Sequence, residues 1–136
     1  MTVRIVRLGT PRQPNEGTRI GTVRRPPRGV PKAEFASGNW YDVWYPNLSP
    51  TPELVKRALA SQADFGAAGQ KEWDAFTRAF KAEMKQPDAA RSIELLAELS
   101  HHADFSVGCY CDNEARCHRA ILRALLADAG AKIANG

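Results

Sequence analysis

The sequence predicts an α/β fold, built as a single compact layered domain with a short central sheet and four to five flanking helices. Three observations predict it. Short strand-like runs lie near both ends of the chain, and apolar residues recur at helical spacing between them. The final part of the chain has the pattern of a strand, a turn and a helix. Few short strands mixed with several helices are typical of a layered fold, and the length fits one domain, residues 1–136.

Three short strands are expected. Val3 and Ile5 belong to a run rich in β-branched residues that ends at Gly9. Residues 19–24 can form a second strand, and residues 105–111 form a third by the alternation of their side chains. Ligands of α/β folds tend to bind at the carboxyl ends of strands, and here the last of these ends carries cysteines.

Four helices are expected in the rest of the chain. A stripe of apolar side chains three or four positions apart marks each of the first three, in residues 54–59, 73–84 and 93–99. The fourth follows the acidic and amide side chains of residues 112–114, which can cap it, and ends at Gly130.

The composition is that of an ordinary globular protein, with 43% hydrophobic and 25% charged residues. No apolar stretch approaches the ~20 residues of a membrane-spanning helix. The N-terminus lacks the apolar segment of a secretory signal, and three cysteines within residues 109–117 make a poor disulfide framework. We therefore expect a cytoplasmic location and no membrane association, and the sequence leaves the oligomeric state open.

Basic residues are concentrated in the N-terminal quarter. Residues 1–32 contain eight arginines and lysines against one acid, Glu16, although the net charge of the whole chain is +4. Three prolines between Arg25 and Lys32 predict a stiff, ordered loop, which positions its charges at low entropic cost. The charge favours an anionic small molecule or a nucleic acid as partner. The aromatic residues at 40–45 suit packing in a loop or edge strand, with stacking on bases as the alternative.

Residues 109–119, which we call the cysteine turn, hold most of the reactive side chains of the protein. One interpretation of them is structural. Cys109 is then a small buried hydrophobic residue and His118 a histidine of the core. In the same interpretation the arginines form a solvated face of the last helix: Arg116, Arg119 and Arg123.

A metal site is the second interpretation of the cysteine turn. Cysteine and histidine are zinc ligands, but the C-x-C-x5-C-H spacing differs from the common zinc motifs. Cys109 and Cys111 on an extended strand would hold their sulfur atoms apart, and Cys117 and His118 would point in different directions from a helix. We therefore expect no metal, and the sequence indicates no cofactor.

Thiol chemistry is the third interpretation. A cysteine at the start of a helix and close to arginines has a lowered pKa, so Cys117 is the expected reactive thiol, with Cys111 as a second candidate. His118 is placed to act as a base. The spacing of Cys111 and Arg116 between a strand and a helix also resembles the persulfide loop of rhodaneses, although the glycine usual in that loop is absent.

Anion binding is the fourth interpretation, and it overlaps with the third. Unpaired amides at a helix N-terminus form a cradle for phosphate or carboxylate when arginines stand beside them. We expect Arg116 and Arg119 to take part, together with Arg25 and Arg28 from the proline-rich loop and Lys32 next to it.

Four motifs in order along the chain resemble the YeaO-like family of uncharacterised bacterial proteins. Residues 24–32 are similar to its DRLWPRGxxK segment, and residues 40–54 are similar to its W…LAPSxEL segment. Residues 73–83 resemble its W-x2-F-x3-Y-x2-E helix, and the cysteine turn resembles its C-x-[CE]…CHR ending. Pro26 stands where the family has tryptophan.

The resemblance implies an α/β fold and a site that joins the proline-rich loop to the cysteine turn through Arg25, Arg28, Lys32, Cys117, His118 and Arg119. It supplies no reaction. We expect the protein to bind a phosphate-bearing or other anionic small molecule, with thiol chemistry at the cysteine turn, and the sequence leaves open whether it is an enzyme. The alternative is a non-catalytic nucleic-acid-binding module that uses the basic N-terminal quarter.

Overall fold

The computed structural model describes residues 1–64, 66–111 and 114–134. A parallel sheet lies at its centre, and in this described part of the chain it has four strands, β1 (Val3–Arg7), β2 (Thr18–Gly21), β3 (Val43–Trp44) and β4 (Phe105–Cys109). Their order across the sheet is β1-β4-β2-β3, and every pair is parallel. The α/β class predicted from the sequence is confirmed.

β4 is the central strand of the sheet. Its register with β1 runs from Val3 opposite Phe105 to Arg7 opposite Cys109, and β2 pairs along its other side. All five residues of β4 are buried, as expected for a parallel strand with neighbours on both edges and cover on both faces. Because the strands are parallel, the carboxyl ends of β1, β2 and β4 meet at one edge of the sheet.

In the part of the chain that the structure describes, four α-helices cover the sheet, and their positions confirm the four predicted from the sequence. They are α1 (Pro52–Ala63), α2 (Ala67–Met84), α3 (Pro87–Leu99) and α4 (His118–Asp128). α1 and α3 begin with proline, whose missing N–H costs nothing at the first helical position. The helices and the sheet enclose the main core, which includes Phe76, Phe80 and Leu122. Within the described residues, no helix is both long and apolar enough to cross a membrane.

Several element boundaries differ from the sequence prediction, and β4 is one of them, because it ends at Cys109 and not at residue 111. β2 ends at Gly21 and not at residue 24, because the following carbonyls accept bonds from side chains: that of Thr22 from His118, and that of Val23 from the Trp44 indole. α4 begins only at His118, after a 3-10 turn at Glu114–Arg116. Residues 112 and 113, expected to cap this helix, lie outside the described residues.

A buried ion pair fastens the loop between β1 and β2. Glu16 and Arg19 are 2% and 0% exposed, and Arg19 Nε donates to Glu16 Oε1 across 2.7 Å. The same carboxylate accepts a bond from the Ser106 hydroxyl on β4, while the Arg19 guanidinium donates to the carbonyls of Thr10 and Asn39. The sequence indicated both residues only as charges, whereas in the structure they form a buried ion pair that holds the loop in place.

The proline-rich loop, residues 24–31, contains no helix or strand, as predicted, and it is held over the strand ends. Arg24 donates to the carbonyls of Pro50 and Ser49, and the Tyr110 hydroxyl donates to the carbonyl of Arg25. The neighbouring aromatic residues mainly pack: Tyr41 is buried and Trp40 contacts the Tyr110 ring edge-on. The two residues of β3 form an exposed edge strand.

Candidate functional site

A cavity of about 1050 Å³ opens at the carboxyl ends of β1, β2 and β4. The proline-rich loop and the first half of α1 form its walls, and the cysteine turn contributes Cys109, Tyr110, Cys111, Cys117 and His118. A second, smaller apolar cluster that includes Val6, Leu8 and Tyr41 supports it from below. This is the edge at which an α/β sheet is expected to hold a ligand.

Three thiols meet at the cavity. The Sγ atoms of Cys109 and Cys117 lie 2.8 Å apart, and the Cys111 thiol is hydrogen-bonded to both. Cys109 and Cys117 are each 1% exposed, whereas Cys111 is only partly buried. Cys111 is therefore the thiol that a molecule in the cavity can reach, and the other two lie behind it.

Hydrogen bonds and burial shift the pKa values of the three thiols in different directions. The bonds from Cys109 and Cys117, helped by one from Gln62, hold the pKa of Cys111 far below its usual value despite partial burial. Burial raises the pKa of Cys109. For Cys117 the bond with Cys109 lowers the pKa, but the bond to Cys111 and burial outweigh it, and the pKa rises to about 11. These bonds favour the thiolate form of Cys111 over that of Cys109 or Cys117.

Cys117, the thiol expected to be reactive, is buried, and its reactivity stays a prediction. Cys117 is the N-cap residue of α4, but its side chain turns inward and is as deeply buried as that of Cys109. The start of α4 does lie among the thiols of the cavity, but the thiol that is partly exposed is that of Cys111.

His118 is a buried histidine with a fixed orientation. Its Nε2 lies 2.7 Å from the carbonyl of Thr22, so Nε2 carries the proton and donates it. Nδ1 then carries a lone pair, and it faces Cys117 Sγ at 3.7 Å. Burial lowers the pKa of His118 to about 4, so the ring is neutral near pH 7. Its lone pair is directed at Cys117 and not at Cys111.

Arg116 and Arg119 of the cysteine turn are buried, so they do not form a solvated face. Arg116 donates to the carbonyls of Ser61 and Asp64, at the end of α1, and to the side chain of Gln70 on α2. It therefore joins two helices, and its role in anion binding stays a prediction.

Arg119 is 4% exposed and supports the thiols from within. Its guanidinium donates to the carbonyl of Cys111 and hydrogen-bonds to Cys117, whose sulfur also accepts the backbone N–H of Arg119. No hydrogen-bond partner for its Nε is found among the described residues. Arg119 therefore places a positive charge beside the thiols, where it stabilises a thiolate.

The other expected anion ligands divide into two groups. Arg25 and Arg28 are exposed and line the cavity, as the predicted approach of the proline-rich loop to the cysteine turn requires. Lys32 lies on a separate 3-10 turn, Lys32–Glu34, and is not among the lining residues. The structure thus brings two of the five expected basic residues to the cavity.

The ligand atoms of Cys109, Cys117 and His118 all lie within 4.8 Å of one another, so by residue type they could hold a metal. The expectation that these side chains fail to converge was wrong. Cys109, the last residue of β4, lies against Cys117, the N-cap residue of α4. The absence of a metal remains a prediction.

Sequence reasoning missed two contributors to the site. Gln62 on α1 donates to the carbonyl of Arg116 and hydrogen-bonds to the Cys111 thiol, and Lys56 on the same helix lines the cavity. Neither belongs to a motif. They do not share one face of α1, and only the packing of this helix against the cysteine turn gives them a role.

The comparisons with known proteins agree with an uncharacterised family. Neither the curated proteins nor the solved structures include a match to this chain. The model of the family DUF488-N3a, described as the active DUF488-N3 subclade, matches residues 3–130 and so spans the sheet, all four helices and the cysteine turn. The chain belongs to the DUF488-N3a family.

Proposed function

We propose that the cavity binds a small anionic molecule, such as one bearing a phosphate, and presents it to the thiolate of Cys111. One observation carries this proposal. Among the described residues that line the cavity none is acidic, whereas five are basic: Arg7, Arg24, Arg25, Arg28 and Lys56. Low-dielectric walls lined by one sign of charge concentrate ligands of the opposite sign.

The charges and the thiol line the same cavity. Arg25 and Arg28 enter from the proline-rich loop, whose prolines and fastened backbone fix their approach. Cys111 enters from the end of β4, with Cys109 and Cys117 behind it. An anionic ligand held by the loop would share the cavity with the sulfur, and this proximity is what nucleophilic attack requires.

The roles of the cysteine turn are reassigned accordingly. Cys111 is the nucleophile, and Arg25 and Arg28 bind the anion. Cys117 and His118 act from behind Cys111, and Arg119 balances the charge of the thiolate. The YeaO-like character, the cytoplasmic location and the single-domain organisation remain predictions.

The experiment is thermal unfolding against phosphate concentration at constant ionic strength. A ligand that binds only the native state raises its stability with the logarithm of ligand concentration. We expect phosphate to raise the Tm of the wild type and of Arg78→Ala, which removes the same charge from an exposed position on α2. Arg28→Ala should lose most of the shift. An equal shift in Arg28→Ala, or none in the wild type, would remove the anion site.

The alternative, a nucleic-acid-binding module, draws less support. Two of the eight basic residues of the N-terminal quarter are engaged internally: Arg12 forms a bidentate pair with Asp42, and Arg19 is paired with Glu16. Arg24 is directed at backbone carbonyls. An affinity for single-stranded DNA that falls steeply with salt would favour this alternative.

A further inference from the structure

The cavity is much larger than the anionic group that its arginines can hold. Its volume of about 1050 Å³ matches the upper end of the range for small organic ligands, about 300–1,000 Å³. A phosphate group fills only a small part of such a space. Apart from the basic residues, most of the described residues along its walls are apolar, among them Leu8, Val23, Val55 and Leu59. A ligand that fills the cavity therefore has a sizeable apolar part beside its anionic group.

Two aromatic rings at the cavity, those of Trp40 and Tyr110, form an edge-to-face pair. Their centroids lie 5.9 Å apart, and both side chains line the cavity while they are only partly buried. The loop after β1 packs against the indole, because a Cβ added to Gly9 would lie 2.9 Å from its Cζ3 atom. Trp40 is therefore a rigid aromatic surface, which a ligand can contact at little cost in conformational entropy.

The aromatic pair is connected to the proline-rich loop. The Tyr110 hydroxyl donates to the carbonyl of Arg25 across 2.8 Å, so this ring meets the backbone of the loop directly. Arg25 and Arg28 line the cavity from that loop, and no partner for either guanidinium is found among the described residues. A flat ring in contact with Trp40 can therefore be joined through a short link to an anionic group at the two arginines.

We infer that the ligand of this cavity is an anion that carries a flat aromatic ring, of about the size of a nucleoside monophosphate, and that Trp40 binds the ring. The inference rests on the proposed function in taking Arg25 and Arg28 as the residues that bind the anion. It adds the class of ligand and the residue that selects it. Every base has a π face, so stacking on an aromatic side chain selects for a ring and not for one particular base.

The test compares the binding of three phosphates to the full-length protein: AMP, ribose 5-phosphate and hexyl phosphate. Ribose 5-phosphate has the sugar and the phosphate of AMP but lacks the base, and hexyl phosphate has an apolar part without a ring. Affinities are measured by titration calorimetry at constant ionic strength under reducing conditions. We expect AMP to bind roughly tenfold more tightly than either of the others, because one stacked base contributes about that factor or more.

A variant without the ring assigns the preference to Trp40. In Trp40→Leu the affinity for AMP should fall roughly tenfold, to that of ribose 5-phosphate, while inorganic phosphate still raises the Tm. Trp44→Leu is the matched control, because Trp44 is 44% exposed on β3 and is not among the lining residues. It should keep the preference for AMP. Trp40→Phe retains a ring against Gly9 and should keep part of the preference, which tests the position even if the leucine variant fails to fold.

Three outcomes would overturn the inference. One is equal affinity of the wild type for AMP and ribose 5-phosphate, and another is equal affinity for AMP and hexyl phosphate, which would indicate an aliphatic ligand. The third is an equal loss of AMP affinity in the variants of Trp40 and Trp44. If AMP shows no advantage while the phosphate shift still depends on Arg28, ring binding is refuted and the proposed function stands. If neither phosphate nor AMP raises the Tm, both are refuted.

Discussion

Two opposed influences act on the thiol of Cys111. Partial burial disfavours a thiolate, because the charge loses contact with water. Hydrogen bonds from Cys109, Cys117 and Gln62 act the other way and outweigh burial. A thiol that donates a hydrogen bond to Cys111 must keep its own proton. Cys109 and Cys117 are therefore neutral in this arrangement. A serine at position 109 or 117 could donate similarly, whereas alanine removes the donor.

The lowered pKa of Cys111 predicts an unusual pH profile of alkylation. A thiol whose folded pKa is depressed is already a thiolate above that pKa, so its rate should change little between pH 6 and 9. An ordinary thiol gains roughly tenfold in thiolate per pH unit below its pKa. Iodoacetamide labelling read by mass spectrometry should place Cys111 first, with Cys109 and Cys117 protected. A Cys111 rate that climbs steadily through this range would contradict the thiolate.

At the scale of elements, Arg116 and Gly69 join three segments of the chain. Arg116 donates to carbonyls at the end of α1 and reaches α2, and this fixes the turn that leads to Cys117. Gly69, in the first turn of α2, lies so close to α1 that an added Cβ would sit 1.5 Å from the carbonyl oxygen of Asp64 and 3.0 Å from the Arg116 guanidinium. The approach of the two helices thus requires glycine.

Gly69→Ala should therefore destabilise the protein although alanine is the better helix former. The helical preference of alanine gains about 1 kcal/mol. The clash involves backbone, which cannot rotate away, and overpacking of this kind costs about 2 kcal/mol or more. We expect a lower midpoint of urea unfolding. Labelling of Cys117 should also be faster, because the added methyl group displaces the Arg116 side chain. Ala68→Gly, at the adjacent exposed position, should cost only the helical preference and leave the labelling unchanged.

Sequence patterns predicted the elements better than their partners. Apolar spacing located the first three helices, because a stripe against the core is a local property of the chain. β3 has only two residues and was expected merely as a loop or edge strand, since its pairing depends on β2 being alongside. The burial of Arg116 and Cys117 could not be predicted either, because both depend on where α1 packs.

At the scale of the whole molecule, the ion pair of Glu16 and Arg19 links distant parts of the chain. It connects the loop after β1, β2 and the segment around Asn39, and Ser106 attaches it to β4. Burial alone would raise the pKa of Glu16, but the bonds from Arg19, from the Gln13 N–H and from Ser106 lower it. A charge buried this deeply is tolerated only while all these partners remain.

Glu16→Gln should cost about 3 kcal/mol at neutral pH, because it leaves the Arg19 charge buried without its partner. The folded pKa of Glu16 is depressed, so its contribution is present above the unfolded pKa and is lost as pH falls through the folded pKa. The difference in the free energy of unfolding between wild type and variant, measured by urea unfolding, should therefore become smaller as the pH falls. Glu94→Gln removes one partner of an exposed ion pair, and the free energy of unfolding of this variant should equal that of the wild type. A gap that is constant with pH would contradict the linkage.

The position of β4 between β1 and β2 also sets when the site can come into existence during protein synthesis. Among the described residues, β1 pairs with β4 and with the bridge at Ile133, both of which come late in the chain, and β2 has before them the two residues of β3 as its partner. A nascent chain that ends before Phe105 therefore emerges from the ribosome with unpaired strands, and contacts of such long range close slowly. Such a chain also lacks all three cysteines, which stand at positions 109, 111 and 117. The contact between Cys109 and Cys117 can form only after synthesis has reached the start of α4.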